Sequence, residues 1–394
     1  MGKFRVLTLN SISAKGLSRL PGELYTHGSN EAEPDAILVR SQDMHAMTIP
    51  DSVLAIGRAG AGTNNIPVPK LSGRGVPVFN APGANANAVK ELVIAGLLLG
   101  ARNIVPAARF VDGLKGAGPE LDKQVEDGKK QFAGIELPGH TLGVIGLGKI
   151  GSLVADAAIR LGMHVIGYDP EITVDAAWSL PSQVKRAHSV EELIRASDFI
   201  TVHVPQVPAT VGLIDAKRIA LMKHGAVVLN FAREAIVDAA AVLDALKAKK
   251  LKGYVCDFPT AALIGQPGVV ALPHMGASTR EAEENCALMV VDQLREFLEH
   301  GNVRNAVNFP DVVMARESPY RVGIANSNVP NMLGQISTAM ASAGLNIHNM
   351  LNKSRGEMAY TLVDVDSPVP DTVIRGIASI GGVLAVRYLP TQRP

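Results

Sequence analysis

Short apolar runs recur along the first 272 residues of the chain, each followed by a more polar stretch. Four of them lie at 4–9, 36–40, 54–57 and 76–80, and a further series begins at residue 141. Runs of this length, uninterrupted by polar positions, are typical of strands buried on both faces. Strands that alternate with helical segments predict a parallel α/β sheet, and the first such block ends near residue 83.

The second series predicts a longer sheet. Its strands are expected at 141–145, 163–168, 199–204, 226–230, 253–257 and 269–272. Its helices are expected at 149–161, 189–196, 217–222, 238–247 and 281–300. Between the two blocks, residues 85–105 are rich in Ala and Leu and nearly uncharged, which predicts a helix buried inside a domain or against a second subunit. Residues 109–133 are polar and contain glycines, and we expect them to cross the surface.

The pattern changes after a polar connector at 311–318. Strands are expected at 321–325, 347–353, 359–365 and 383–388, and helices at 331–343 and 370–380. The order β-α-β-β-α-β is that of ferredoxin-like domains. The predicted fold class is therefore α/β, with two Rossmann-like doubly wound parallel sheets and a C-terminal ferredoxin-like domain.

A glycine motif follows the predicted strand 141–145. Gly146, Gly148 and Gly151 have the spacing G-x-G-x-x-G. Between a strand and a helix, these positions allow a tight turn, the approach of a pyrophosphate to the backbone, and close packing of the helix on the strand. The N–H groups that start the helix then face the phosphates. Asp169 ends the next strand, where a carboxylate binds the ribose hydroxyls and repels a 2′-phosphate, so the motif predicts NAD rather than NADP.

The bulk composition narrows the function classes. The chain has 394 residues, 47% hydrophobic and 19% charged, with a net charge of +1. This balance indicates a globular protein and gives no support to nucleic-acid or membrane-surface binding. The first residues lack the apolar region of a signal peptide, and no run is long enough to span a membrane. Cys256 and Cys286, the only cysteines, have no metal-ligand spacing, so we expect a reducing, cytoplasmic location and no metal site.

Polar residues recur where the predicted parallel strands end. These positions are Asp169, His203, Arg233, Asp257 and His274. Open α/β sheets bind their ligands at that edge. In the first block, Arg58 precedes a loop of glycines and alanines whose N–H groups suit a carboxylate or a phosphate as ligand. The alternative is a solvent-exposed arginine on a flexible turn.

Several of these segments carry a family resemblance. They are 146–151 (Gly-Leu-Gly-Lys-Ile-Gly), 203–205 (His-Val-Pro), 230–233 (Asn-Phe-Ala-Arg), 254–257 (Tyr-Val-Cys-Asp) and 273–279 (Pro-His-Met-Gly-Ala-Ser-Thr). Through them, residues 1–310 resemble the NAD-dependent D-2-hydroxyacid dehydrogenases, and residues 321–394 resemble a regulatory ACT domain. The resemblance implies a substrate-binding domain at 1–81 completed by 276–310, an NAD-binding domain at 82–275, an ACT domain at 321–394, and a homodimer or homotetramer.

The resemblance also implies the roles of individual residues. His274 is implied to be the base that takes the hydroxyl proton, Arg233 to bind the substrate carboxylate, and Asp257 to meet the nicotinamide carboxamide. The other residues implied to contact NAD are Gly146, Gly148, Lys149, Ile150, Gly151, Asp169, His203, Val204, Pro205, Phe231 and Ala232. Those implied to contact a small phosphorylated 2-hydroxyacid are Arg40, Ser41, Arg58, Ala61, Gly62 and Asn85.

The chain departs from the family pattern beside the expected base. The family pairs its histidine with a glutamate, but Ala261 or Ala262 stands at that position, and no Asp or Glu occurs between Asp257 and Glu281. Three explanations stay open: a backbone carbonyl or a water holds the ring of His274, another residue replaces the glutamate, or activity is poor.

The ACT-like segment departs as well. Asn328 and Asn346 match positions that bind an amino-acid effector in regulated relatives. Asn326 stands where some relatives carry histidine, and Asn331 replaces a glycine. The segment is therefore expected either to bind a small effector or to serve assembly.

Three functions remain open at this point. The first is the NAD-dependent dehydrogenation of a phosphorylated D-2-hydroxyacid in amino-acid biosynthesis. The second is the same chemistry on an unphosphorylated acid, such as glyoxylate or hydroxypyruvate, against which Arg58 and the ACT-like segment argue. The third is an NAD-sensing binding protein without turnover, which only the missing glutamate favours.

Overall fold

The computed structural model describes residues 3–390 of the chain. Close packing divides the chain into two units. One unit is formed by the residues up to Asn85 together with those from Thr279 onward, and the other by Ala86–Ser278. The second unit is therefore an insertion in the first. The finer division into three domains, with boundaries near 81, 276 and 321, stays a prediction.

A five-stranded parallel sheet opens the first unit. Its strands are β1 (Phe4–Leu9), β2 (Tyr25–Gly28), β3 (Ala36–Val39), β4 (Ala55–Arg58) and β5 (Val78–Phe79), in the order β2-β1-β3-β4-β5. Helices α1 (Ala14–Leu17) and α2 (Val68–Ser72) lie between strands along the chain. Every residue of β3 is buried, which explains its uninterrupted apolar run. The edge strand β2 was missed by the sequence prediction because its residues Thr26 and His27 are polar and exposed.

The second unit is built on a seven-stranded parallel sheet. Its helices are α3 (Ala86–Arg102), α4 (Ile104–Asp112), α5 (Pro119–Gly128), α6 (Lys149–Arg160), α7 (Val174–Trp178), α8 (Val190–Ala196), α9 (Ala216–Leu221) and α10 (Ala239–Lys247). Its strands are β6 (Thr141–Ile145), β7 (His164–Tyr168), β8 (Lys185–Arg186), β9 (Phe199–Val202), β10 (Ala226–Asn230), β11 (Leu251–Cys256) and β12 (Val269–Ala271). The order β12-β11-β10-β9-β6-β7-β8 reverses direction between β6 and β9. Ligands of open α/β sheets bind at such a switch point.

Of the two predictions between the sheets, one is wrong and one is confirmed. The long helix expected at 85–105 ends at Arg102, because Asn103 has a left-handed backbone with φ of +52°. The stretch 109–133 crosses the surface as expected, and it does so as the end of α4, all of α5 and a 3₁₀ turn at Lys129–Phe132. None of the residues of α4 or α5 is buried. The polar composition of this stretch therefore reflects the exposure of its helices.

The chain returns to the first unit through a long helix and a second sheet. The elements are α11 (Arg280–His300), β13 (Tyr320–Ser327), α12 (Met332–Ser342), β14 (Ile347–Arg355), β15 (Met358–Val365), α13 (Asp371–Ala378) and β16 (Val383–Pro390). The four strands pair antiparallel in the order β14-β15-β13-β16. Both the element order and the strand order are those of a ferredoxin-like domain, so the predicted fold class is confirmed.

The antiparallel sheet shares a hydrophobic core with the first sheet. One cluster of buried residues joins Phe79 of β5, Phe297 of α11, and Tyr360 and Leu362 of β15. Arg387 of β16 places its guanidinium 4.4 Å from the centre of the Phe297 ring. The last sheet is thus continuous with the interior of the first unit.

A buried ion pair strengthens this junction. Arg321 and Asp364 are both fully buried, and their side chains form two hydrogen bonds of 2.6 and 2.8 Å. The remaining guanidinium donors bond to the carbonyl oxygens of His300, Met314 and Ala315. The pair therefore fixes strand β13 to the end of α11 and to the connector that follows it.

Candidate active site

The glycine turn lies at the switch point of the second sheet. Gly146 has φ of +93°, and a Cβ placed on it would meet the carbonyl group of His203 at 2.8 Å. A Cβ on Gly151 would lie 1.9 Å from the carbonyl oxygen of Gly146. A Cβ on Gly148 would meet nothing within 4 Å. The first and third glycines therefore serve packing, whereas Gly148 leaves an open face at the start of α6.

Asp169 holds this turn through its carboxylate. Oδ2 accepts the N–H of Leu147 at 2.8 Å, and Oδ1 accepts the N–H of Glu171 at 3.0 Å. The negative charge thus stands beside the open face of Gly148 and the N-terminus of the 12-residue helix α6. Free N–H groups, an open backbone face and a carboxylate at the end of β7 fit the pyrophosphate and the adenosine ribose of NAD.

His203 lies beside the same glycine turn. Its Nε2 lies 3.0 Å from Oγ1 of Thr201, and its Nδ1 is buried without a hydrogen-bond partner in the part of the chain that the structure describes. Burial lowers the pKa of His203 from 6.5 to about 3. The imidazole is therefore uncharged at neutral pH and adds no charge beside the turn.

His274 is exposed at the turn that follows β12. Its backbone is left-handed, with φ of +53°. Asp257, only 1% exposed, accepts the next two N–H groups: that of Met275 at 2.8 Å and that of Gly276 at 2.7 Å. The ring of Phe258 packs on the imidazole with a centroid distance of 5.0 Å and an interplanar angle of 55°.

No carboxylate lies within ion-pair distance of His274 among residues 3–390. Ala261 and Ala262 are exposed in the loop that follows Phe258. Of the three explanations left open by the sequence, an acidic replacement for the glutamate is therefore not found in the described part of the chain. An aromatic ring occupies the side of the imidazole instead.

Arg233 follows β10, and its side chain is exposed. Its backbone is fixed because Asn230 Nδ2 donates to the Arg233 carbonyl oxygen at 2.9 Å. One guanidinium nitrogen donates to the carbonyl oxygen of Ala232 at 2.6 Å. The remaining N–H groups of the guanidinium can bind both oxygens of a carboxylate.

The first unit brings the arginines of the predicted substrate set together. Arg58 Nε donates to the backbone carbonyl of Arg40 at 3.1 Å. The Arg40 guanidinium forms an ion pair with Glu283 of α11. Burial raises the pKa of the nearby Cys286 thiol, and the positive charges of Arg58 and Arg40 oppose that shift. The positive charges of Arg40 and Arg58 therefore favour an anionic ligand. Such a ligand would compete with the Glu283 carboxylate for the guanidinium of Arg40.

The rest of the substrate set lies on the same loops. The N–H of Ser41 donates to the side chain of Asn10 at 3.1 Å, and the carbonyl of Ala61 accepts Asn80 Nδ2 at 2.5 Å. Gly62 and Asn85 are partly exposed in the segments after β4 and before α3.

Comparison with known proteins identifies the family. The model of the D-isomer specific 2-hydroxyacid dehydrogenase NAD-binding domain matches residues 103–276. The D-3-phosphoglycerate dehydrogenase of Escherichia coli K12 is 32% identical over 355 residues, which are 86% of this chain and 82% of that protein. The chain belongs to the D-isomer specific 2-hydroxyacid dehydrogenase family. It is thus an NAD-dependent oxidoreductase, and NAD is its cofactor.

Two further relatives extend this assignment. The D-3-phosphoglycerate dehydrogenase of Archaeoglobus fulgidus is 38% identical over 291 residues, covering 71% of this chain and 52% of that protein. The crystal structure of the TT0316 protein of Thermus thermophilus superposes with a TM-score of 0.62 at 29% identity, covering 77% of this chain and all of that one.

A small cavity in the antiparallel sheet of this dehydrogenase is lined by amides. Asn326, Asn328, Asn331 and Asn352 contribute to a cavity of about 190 Å³. Asn326 is 1% exposed, and its Oδ1 is buried without a partner in the described residues. Asn346 does not line this cavity; its N–H donates to Asp366 at 3.3 Å. The two asparagines predicted as an effector pair are thus not brought together in one cavity of the chain.

Two residues that contact members of the predicted site were not found from the sequence. Phe258 was passed over, although an aromatic residue directly after the strand-end Asp257 was a usable signal. Glu283 was also missed, because its partner Arg40 lies 243 positions away and no local pattern links them.

The structure has no helix long and apolar enough to cross a membrane within residues 3–390.

Proposed function

We propose that this dehydrogenase oxidises D-3-phosphoglycerate to 3-phosphohydroxypyruvate with NAD, the first step of L-serine biosynthesis. The observation that carries the proposal is that Arg58 bonds to the backbone of Arg40 and that the positive charges of both arginines act on the same thiol, Cys286, which brings two arginines of the predicted substrate set together. A phosphorylated acid carries the charges that such a pair binds. The names of the relatives from Escherichia coli and Archaeoglobus fulgidus support the same substrate.

The reaction removes a hydride from C2 and a proton from the C2 hydroxyl. NAD, when bound, accepts the hydride. The proton passes to the imidazole of His274, and the C2–O bond becomes a carbonyl. In the reverse direction the imidazolium returns the proton to the developing alkoxide.

Arg233 is proposed to bind the substrate carboxylate through its planar guanidinium and to polarise the developing carbonyl. Arg40 and Arg58 are proposed to bind the phosphate, with Ser41, Ala61, Gly62 and Asn85 completing the contacts. Asp169, the turn 146–151, the segment His203 to Pro205, and Phe231 with Ala232 are proposed to hold NAD. Both thiols are buried and free, which is consistent with a proposed location in the cytoplasm.

Steady-state NADH formation tests the substrate. We expect turnover with D-3-phosphoglycerate to exceed that with D-glycerate. Arg58→Ala should lower kcat/KM for phosphoglycerate roughly tenfold to hundredfold, the cost of one charge-assisted bond of about 1.5–3 kcal/mol, and should barely change the value for D-glycerate. Arg19→Ala, which removes an exposed arginine of the same unit, is the matched control. Equal losses for both substrates would contradict a phosphate contact.

A second outcome would favour a dehydrogenase that binds NAD tightly but turns over poorly. The exposed His274 without a carboxylate partner in the described chain is the observation that keeps this alternative. It would be supported if NADH bound tightly while neither phosphorylated nor unphosphorylated 2-hydroxyacids gave NADH.

We further propose that the amide-lined cavity binds a small amino-acid effector. The unpartnered Oδ1 of Asn326 can accept a hydrogen bond from an ammonium group, and the cavity has no charged residue among its described lining. Isothermal titration with L-serine tests this proposal. Asn326→Ala should abolish the heat, whereas Asn346→Ala should leave it unless a second chain completes the site. No heat with the unmodified protein would leave assembly as the role of this sheet.

We also propose that the chain forms a homodimer or homotetramer and that the second unit supplies the subunit interface. Leu98, Ile104 and Val111, on the consecutive helices α3 and α4, are 41%, 46% and 58% exposed. Large apolar side chains grouped in this way are typical of subunit interfaces.

A further inference from the structure

His274 has no acidic partner in the described chain, yet a catalytic base needs a fixed orientation. Resting on the proposed role of His274, we propose that Asp257 and Phe258 are positioning residues that orient this imidazole without an ion pair. Asp257 fixes the backbone beneath the histidine, and Phe258 fixes the plane of its ring. The two residues are adjacent, so one strand end supplies both contacts.

The backbone contact offsets a strained conformation. A non-glycine residue with φ of +53°, as in His274, is retained only where its surroundings hold it. The two N–H groups that follow are bound by the two oxygens of one buried carboxylate, at 2.8 and 2.7 Å. Hydrogen bonds to an ionised acceptor are stronger than those between neutral groups. Asp257 therefore holds the turn in the conformation that aims His274 as observed.

The fit around this carboxylate is close. A Cβ on Gly276 would lie 3.2 Å from Oδ2 of Asp257. A methyl group there would push the carboxylate away from the N–H of Gly276 without changing its charge. Gly276→Ala is therefore a mild way to loosen the turn with Asp257 intact.

The ring contact comes from Phe258. Its centroid lies 5.0 Å from that of His274, and a tilt of 55° is within the range of favourable aromatic pairs. Phe258 is itself partly buried, so it can hold the exposed imidazole against rotation. The face of an aromatic ring also attracts a cation, which favours the imidazolium formed during the reaction.

This role differs from a contact between Asp257 and the nicotinamide. Both carboxylate oxygens already accept an N–H, and the side chain is only 1% exposed. A cofactor contact predicts weaker NADH binding in a variant of Asp257. A positioning role predicts unchanged NADH affinity and a lower kcat, because only the reacting proton is misplaced.

Four variants separate these roles: Asp257→Asn, Gly276→Ala, Phe258→Leu and Phe258→Tyr. We expect kcat to fall tenfold or more in Asp257→Asn and several-fold in Gly276→Ala and Phe258→Leu, with the Kd of NADH within twofold of the unmodified protein. Phe258→Tyr, which keeps the aromatic ring, should have the kcat of the unmodified protein. Ile264→Ser, at an exposed position of the same loop, is the control.

Two results would overturn the inference. A tenfold weaker Kd of NADH with unchanged kcat in Asp257→Asn would make that residue a cofactor contact. Unchanged kcat in Phe258→Leu would show that its ring orients nothing.

A measurement without substrate keeps the inference apart from the proposed function. In the NMR spectrum of the apoprotein, the His274 ring signals, identified by their loss in His274→Gln, should be shifted by the ring current of Phe258. The shift should vanish in Phe258→Leu and persist in Phe258→Tyr. A persisting shift in Phe258→Leu would refute the contact even if no 2-hydroxyacid proved to be a substrate.

Discussion

Alanine at position 148 should weaken NAD binding and leave the fold intact. Gly148 has φ of −68°, which alanine adopts freely, and its added Cβ would meet no atom of the protein within 4 Å. That open space is where a pyrophosphate approaches the backbone. The methyl group therefore acts on the ligand rather than on the chain.

The expected change in the Kd of NADH follows from the hydrogen bond that is lost. Holding the phosphate away from one N–H at the start of α6 removes a charge-assisted hydrogen bond of about 1.5–3 kcal/mol. The Kd of NADH should therefore rise roughly tenfold to 150-fold. The single tryptophan, Trp178, lies in the same unit as the turn and is 86% exposed, so energy transfer from it to NADH can report binding.

Two comparisons make this experiment decisive. Gly376→Ala, in helix α13 with open space around its Cβ, should leave both stability and NADH binding unchanged or slightly improve stability. Gly151→Ala should lower stability, because its Cβ would lie 1.9 Å from a backbone oxygen. The reasoning would be refuted if Gly148→Ala bound NADH as tightly as the unmodified protein, or unfolded like Gly151→Ala.

Four further predictions follow from other parts of the structure. Asp169→Ala should narrow the preference for NAD over NADP in kcat/KM, because it removes the charge that repels a 2′-phosphate. With the pKa of His203 lowered from 6.5 to about 3, the unfolded chain binds the proton first as pH falls below 6.5, so calorimetry should show a loss of about 2 kcal/mol at pH 5 that His203→Gln lacks. Asp364→Asn should lower the free energy of unfolding by about 3–5 kcal/mol, because Arg321 would keep its charge in a fully buried site. Ile104→Lys should shift the sedimentation coefficient toward that of a monomer.

Each of these has an outcome that contradicts it. Equal use of NAD and NADP by the unmodified protein would exclude the role given to Asp169. Parallel pH dependence of stability with and without His203 would mean that the imidazole is solvated. A small loss of stability in Asp364→Asn would mean that the carbonyl groups around Arg321 suffice, and a monomeric unmodified protein would remove the proposed interface.

Fully buried strands were predicted closely from the sequence. The bounds of β6 and β10 agree to the residue, because their apolar runs are continuous and end at a turn. The edge strands β2 and β8 escaped prediction, since exposed polar residues such as Lys185 and Arg186 carry no burial pattern. Helix α5, which is polar and has no buried residue, escaped prediction for the same reason. The hydrophobic pattern of a sequence reports which faces are buried, so elements without a buried face give no periodic signal.

The candidate site was predictable where chemistry is local. The distinct roles of the three glycines and the strand-end position of Asp169 follow from spacing, and the structure shows the packing behind them. The Arg40–Glu283 ion pair and the ring contact of Phe258 with His274 depend on how distant segments fold together. The separation of Asn346 from the amide-lined cavity likewise depends on how distant segments fold together. No periodicity or motif encodes such tertiary contacts.

The shared core of the first unit has a consequence for how this enzyme can be dissected. In a modular protein a terminal domain can be cut off and leave a working remainder. Here, cutting the chain before β13 would uncover Phe297 and Phe309, which pack against Tyr360, and would strip Arg387 from the end of α11. The strands and helices from β13 onward therefore complete the hydrophobic core of the first unit, and truncation or fusion of this enzyme should succeed only when they stay with that unit.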